Sequence, residues 1–346
     1  MTIRAALLLT LLAIVPAAAS PADNAIGYSH PQRRISVGGG RRLNLFCIGD
    51  GTPTVILEAG SGGSTADWWR IQQRLAGRTR TCAYDRAGYG YSDPARRPSD
   101  AEAAVDDLHR LIAKAALGQH PVIVGHSNGG LYATLYAERH ADEIGGLVLV
   151  DPGFPGQQDY AGYGLASATT AALQRWASGL IDTGRHCLAM AEQAGRSTIA
   201  KAPECVSTPP EDPSILRRSL RRIYMQKPYE AANLSELECS FGIGRDGLTR
   251  DDREFPAPLR ALGDLPLIVL TAEHHPAPVG GFTQLEQARF WQTWKQGHDR
   301  LAQLSSAGIS IVVSGSGHFI QNDKPDAVAQ AVRDVVSAAR RNETRP

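Results

Sequence analysis

The stretch Gly125-His126-Ser127-Asn128-Gly129 limits most strongly what this chain can fold into. It stands between a short, wholly apolar run, Val122–Val124, and a helical pattern from Gly129 to His140. A turn that passes straight from a buried strand into a helix strains its central residue, and flanking glycines remove side chains that would collide there. Ser127 Oγ is then pushed out above the sheet, beside a helix N-terminus whose N–H groups have no partners. The G-x-S-x-G letters alone carry little in a chain with 35 glycines. Their position between strand and helix gives them meaning.

The surrounding pattern supports such a sheet. Arg34–Val37 and Leu43–Cys47 alternate around Gly38-Gly39-Gly40 as a hairpin. Thr54–Ala59, Arg80–Tyr84, Val122–Val124, Gly146–Val150, Leu265–Leu270 and Ile309–Val313 read as strands. Helical patterns fall between them at Trp68–Leu75, Ser99–Ala116, Gly129–His140 and Leu285–Leu304, and Ala327–Ala339 closes the chain. Ser99, with Glu102 three residues on, has the form of a capping box opening its helix. Strands and helices alternating at this spacing predict an α/β fold with a mostly parallel sheet covered on both faces. Between Pro152 and Asp264 the alternation stops and no strand pattern is visible. Because the sheet signal resumes afterwards, this segment reads as an insertion rather than a linked second domain. The expected layout is residues 1–20 outside the fold, 21–151 and 265–346 as core, and 152–264 as insertion.

Residues 1–20 have the form of a secretory signal: a basic start through Arg4, an apolar run from Ala5 to Val15, then small residues, with cleavage after Ala19 or, second, Ala22. The run is short of the roughly 20 residues a membrane helix needs, and no later stretch qualifies. The expectation is a secreted or periplasmic protein without a membrane span. Lys and Arg number 36 against 35 Asp and Glu, which argues against a nucleic-acid partner. In an oxidising compartment some of the five cysteines should pair, and the odd number leaves at least one over. Within the insertion, Cys187 with Cys205 is one open pairing. No C-x-x-C or H-E-x-x-H is present, so no metal is expected. Gly242, Gly244 and Gly247 match dinucleotide-binding letters but lack the preceding strand and following helix, so no cofactor is expected.

Four motifs in order resemble the α/β-hydrolase fold family: Glu58–Gly63 after the third strand, Tyr84–Asp93 (Y-D-R-A-G-Y-G-Y-S-D) after the fourth, the Ser127 turn, and Gly315-Ser316-Gly317-His318 after the last strand. The resemblance runs from about Arg34 to Ala339 apart from the insertion, and Ala59 departs from the family's usual His before Gly60. It implies a cap inserted after the sixth strand, and adjacent second and fourth strands, which favours Cys47 pairing with Cys82. Asp85 and Arg86 take a structural part in this reading.

The chemistry follows from charge. A neutral serine hydroxyl needs a base during attack, and His318 is the candidate. The backbone N–H groups of Asn128 and Ser61 are candidates for an oxyanion hole. The acid is less determined. In the usual place after Leu267–Leu270, His275 stands where Asp is expected and Glu273 comes two residues early. Asp151, at the tip of Gly146–Val150, is the preferred acid and Glu273 the alternative. The function expected is an exported serine hydrolase acting on a small-molecule carboxylic ester. Aminopeptidase, amidase or acyltransferase chemistry on the same triad is the alternative, and a non-catalytic binding protein the other class. The sequence leaves oligomeric state open.

Overall fold

In a computed structural model, residues 25–193, 196–275 and 278–343 are described. The expected signal segment therefore lies outside the described residues. Eight strands form one sheet: β1 (Arg33–Gly38), β2 (Arg41–Ile48), β3 (Val55–Glu58), β4 (Thr81–Tyr84), β5 (Val122–His126), β6 (Gly146–Val150), β7 (Leu267–Ala272) and β8 (Gly308–Val313). Their order is β1-β2-β4-β3-β5-β6-β7-β8. β2 runs antiparallel to both neighbours and the rest are parallel.

The central strands are apolar throughout because both faces are covered. Ile56, Ile123, Leu147, Leu149 and Val269 face one layer, with helices α2 (Ala101–Ala115), α3 (Asn128–His140) and α7 (Gln284–Ala302). Val55, Leu57, Val122, Val124, Val148 and Val150 face the other, with α1 (Trp69–Leu75) and α8 (Pro325–Glu343). The period-two alternation thus divides one sheet between two cores.

Between β6 and β7 the described residues contain helices and no strand: α4 (Ser167–Gln193), α5 (Ser214–Tyr224), α6 (Lys227–Phe241) and short turns. No helix among the described residues is long and apolar enough to cross a membrane. Cys47 and Cys82 face each other across β2 and β4 and form a disulfide, and Cys187 on α4 pairs with Cys205. Cys239 is the free, buried thiol.

The capping box expected at Ser99 does not form. Asp100 takes the cap position and its carboxylate accepts the Ala103 N–H at 2.8 Å. An anionic oxygen at the positive end of the helix outcompetes a neutral hydroxyl one residue earlier. Glu102 is left to face Arg139, 3.5 Å away.

Glu230 on α6 carries a pH-dependent liability. It is 1% exposed, and its Oε1 has no hydrogen-bond partner among the described residues. Burial pushes its carboxyl up to about 8, against roughly 4.3 in an unfolded chain. The folded state therefore holds this proton more tightly. Its contribution is fully present below the unfolded value and is lost as pH rises through about 8. Glu230→Gln mimics the protonated form. Thermal melts should show little change at pH 4 and a gain of several degrees by pH 9. An equal gain at both pH values would contradict this account.

Candidate active site

The β5–α3 junction places Ser127 at φ 53°, ψ −126°, a region that L-residues avoid. The turn closes only because its neighbours are glycines. A Cβ on Gly125 would lie 2.3 Å from the Gly129 carbonyl oxygen, and one on Gly129 would lie 2.4 Å from that of Ala59. The Ser127 side chain consequently faces a cavity of about 410 Å³ instead of the core.

His318 follows β8 and reaches the same cavity. The Ser127 hydroxyl meets His318 Nε2 at 3.0 Å, and His318 Nδ1 meets Asp151 Oδ2 at 2.6 Å. Asp151 directly follows β6, is fully buried, and has a positive φ of 41°. Ser61 and Asn128 line the cavity beside Ser127. Asn128 is the first residue of α3, so its N–H has no partner within the helix. Hydrogen bonds thus join Ser127, His318 and Asp151, and Ser61 and Asn128 line the cavity on which Ser127 opens.

Glu273 does not join them. Its carboxylate accepts from the Gly315 N–H at 2.8 Å and from Ser314 Oγ, and it does not line the cavity.

Asp151 accepts four hydrogen bonds. Its Oδ1 receives the Ala272 N–H at 2.9 Å and Trp294 Nε1–H at 3.2 Å, and its Oδ2 receives His275 Nδ1 at 3.1 Å as well as His318. Burial alone would raise its pKa, but the His275 and His318 contacts outweigh burial and hold the carboxyl well below the usual range. The position where an acid is more usual thus holds a second imidazole that supports Asp151 from the side. His275 is fixed against Trp294, ring centroids 4.3 Å apart and nearly parallel.

His126, beside the serine, is a buried neutral imidazole. Burial, then the nearby His318, lower its pKa to about 3. Its Nε2–H meets the His318 carbonyl at 3.0 Å, linking the serine turn to the histidine loop. Only its position next to Ser127 marked His126 in the sequence, and nothing there marked Trp294.

The cavity walls are largely apolar. Trp176 and Leu180 of α4, Leu237 and Phe241 of α6, and Tyr160 and Phe290 are among them. Asp67 is the acidic side chain on the lining, and burial pushes its carboxyl up to about 7. Arg86 lies beneath the β3 turn, bonded to Glu58 and to Glu236, and its two Nη groups also donate to the carbonyls of Ala59 and Gly60. Asp85 receives the N–H groups of Thr65 and Tyr91 and the Asn44 amide, binding the loop beneath the site together.

Comparison with known proteins agrees with this fold. Residues 53–179 match the family model described as alpha/beta hydrolase fold. Human (lyso)-N-acylphosphatidylethanolamine lipase is 34% identical over 110 residues, 31% of this chain and 32% of the lipase. Among solved structures, the enol-lactonase of Burkholderia xenovorans superposes with a TM-score of 0.56 at 18% identity, covering 88% of this chain and 99% of that one. A thermophilic esterase from Thermogutta terrifontis gives a TM-score of 0.56 at 20% identity, covering 89% of this chain and 98% of that one. Sheet order, helix layers and the match over residues 53–179 show that this chain has the α/β-hydrolase fold. The matched stretches span only 16% to 39% of the first curated relatives' lengths.

Proposed function

We propose that this protein is a serine hydrolase that cleaves a neutral, apolar carboxylic ester. The observation that carries this reading is the continuous hydrogen-bonded series Ser127–His318–Asp151, opening on an apolar cavity. In the first step Ser127 Oγ attacks the ester carbonyl carbon while its proton passes to His318 Nε2. Asp151 keeps the other imidazole proton on Nδ1 and stabilises the imidazolium. The N–H groups of Ser61 and Asn128 receive the oxyanion. Collapse expels the alcohol, protonated by His318. Water then attacks the acyl-enzyme with His318 again as base, returning Ser127 and releasing the acid.

In this reading residues 152–264 act as a cap, with α4 and α6 forming the walls that exclude water and select the acyl or alcohol group. The wall composition favours an ester over an N-terminal peptide. A bound amine calls for an anionic partner, yet Glu230, Glu236 and Glu238 lie off the cavity, with Glu236 and Glu238 engaged by Arg86 and Arg185, and Asp67 on the lining has its carboxyl pushed up to about 7 by burial and already accepts the Ser64 N–H. Two disulfides and the signal-like first residues support export to an oxidising compartment.

The test is hydrolysis of p-nitrophenyl esters from acetate to palmitate by the protein and Ser127→Ala. The variant is expected to lose about 10⁶-fold in kcat, and the wild-type length profile to size the cavity. Without turnover, labelling of Ser127 by a fluorophosphonate would redirect the reading to an amide substrate or acyl transfer. Absence of both would favour a binding protein.

A further inference from the structure

One face of helix α6 rests on the elements that hold both candidate oxyanion donors. Tyr229, Glu236 and Ser240 follow one another at spacings of seven and four, so they share one side of the helix. All three are buried. The Tyr229 hydroxyl donates to the Gly62 carbonyl at 3.1 Å. Glu236 accepts Arg86 Nη2 at 3.0 and 3.1 Å, together with the Tyr89 hydroxyl. Ser240 Oγ accepts the Asn128 side-chain amide at 2.8 Å and donates to Asp251 Oδ2 at 2.6 Å.

The Arg86 contact reaches the first donor through a single peptide. Arg86 Nη2 donates to the Gly60 carbonyl at 2.8 Å. That carbonyl and the Ser61 N–H belong to the same planar trans peptide and point in opposite directions. Holding the oxygen toward Arg86 therefore aims the Ser61 N–H the other way, and a flipped peptide would lose this bond. The Gly63 N–H shares that holding at 3.1 Å, and Glu236 fixes the guanidinium that makes the shorter bond. Ser240 acts similarly on the second donor, because Asn128 bears that donor on its own backbone.

The residues next along the helix, Leu237 and Phe241, are cavity wall. The same two turns of α6 thus form substrate wall and support both donors. Resting on the serine-hydrolase reading above, we propose that Glu236 and Ser240 are positioning residues that set the Ser61 and Asn128 N–H groups through Arg86 and Asn128. Loss of either contact is then a loss of transition-state stabilisation with little change in substrate binding.

The experiment compares Ser240→Ala and Glu236→Gln with wild type, using Ser240→Thr as the variant that keeps a hydroxyl and Glu238→Gln as the control on the helix's exposed side. Two ligands separate the states. A trifluoromethyl ketone with an apolar tail accepts Ser127 Oγ at its carbonyl carbon. The carbonyl π pair becomes an oxyanion, and the serine proton goes to His318. The matching secondary alcohol binds without forming that bond.

Ser240→Ala and Glu236→Gln should lower kcat by about 10- to 100-fold, the scale of a small misplacement of catalytic geometry, with KM within about twofold. Ketone affinity should fall by a similar factor and alcohol affinity should hold. Ser240→Thr should recover most of the loss, and Glu238→Gln should match wild type. Unchanged kcat in both variants, or equal weakening of ketone and alcohol, would overturn the proposal. If Glu236→Gln does not fold, the Ser240→Ala and Ser240→Thr pair decides. A Ser127→Ala variant run alongside separates the two readings. Should it retain full turnover, the hydrolase reading itself fails; should it lose turnover while the α6 variants do not, this inference alone fails.

Discussion

Asp151→Asn is expected to lower kcat about 10⁴-fold, the scale of losing the correct imidazole tautomer, while Glu273→Gln stays within about twofold of wild type. The donors around Asp151 decide the direction. An Asn side chain keeps one carbonyl oxygen and replaces the other oxygen with NH₂. At the Oδ1 position it would face the Ala272 N–H and Trp294 Nε1–H, neither of which can accept. The amide therefore turns its NH₂ toward the Oδ2 position, where the imidazoles of His275 and His318 can adapt by changing tautomer. His318 Nδ1 then becomes the acceptor, its proton moves to Nε2, and Nε2 can no longer take the proton of Ser127. Steady-state kinetics on both variants check this. A large loss in Glu273→Gln with a small one in Asp151→Asn would move the acid to the β7 loop.

The sheet and the serine turn were legible because their signals are local. Val122–Val124, Leu147–Val150 and Leu267–Leu270 are unbroken apolar runs, and the glycines around Ser127 sit within two residues of it. His318 and Asp151 could be read because each stands at the end of a strand, so sheet order alone brings them to the same edge. What escaped depends on contacts between distant segments. Asp100 and Ser99 are both good cap residues, and only the folded chain shows that the Asp100 carboxylate reaches the Ala103 N–H. His275 looked like a missing acid. Its part as a second donor to Asp151 exists only once the ends of β6 and β7 are adjacent. The Arg86–Glu236 and Asn128–Ser240 contacts join the sheet to α6, whose sequence gives no strong amphipathic stripe because charged and polar residues lie on its buried face.

That buried polar face also sets the largest stability effect expected here. Arg86, Glu58 and Glu236 are all at most 7% exposed, with Arg86 bonded to both carboxylates and the Tyr84 hydroxyl bonded to Glu58. Burial pushes Glu58 up, and the Arg86 charge opposes that rise. Arg86→Met leaves two buried carboxylates without their cation, a change that typically costs about 3–5 kcal/mol. In a chain of this size that is a fall of roughly 10 °C in Tm. The deficit should depend on pH. Without Arg86, the Glu58 pKa in the folded state rises further above its unfolded value, so the folded state binds the extra proton. Stability is then retained at low pH and lost as pH rises through the raised value. Arg86→Met should therefore lie closer to wild type at pH 5 than at pH 8. Adding Glu58→Gln and Glu236→Gln should recover part of the loss at pH 8, since neutral amides remove the unpaired charge while keeping similar volume. Thermal melts of the single and triple variants at both pH values test the argument. A deficit independent of pH, with no recovery in the triple variant, would mean that Arg86 acts by filling space beneath the β3 turn and not by balancing charge.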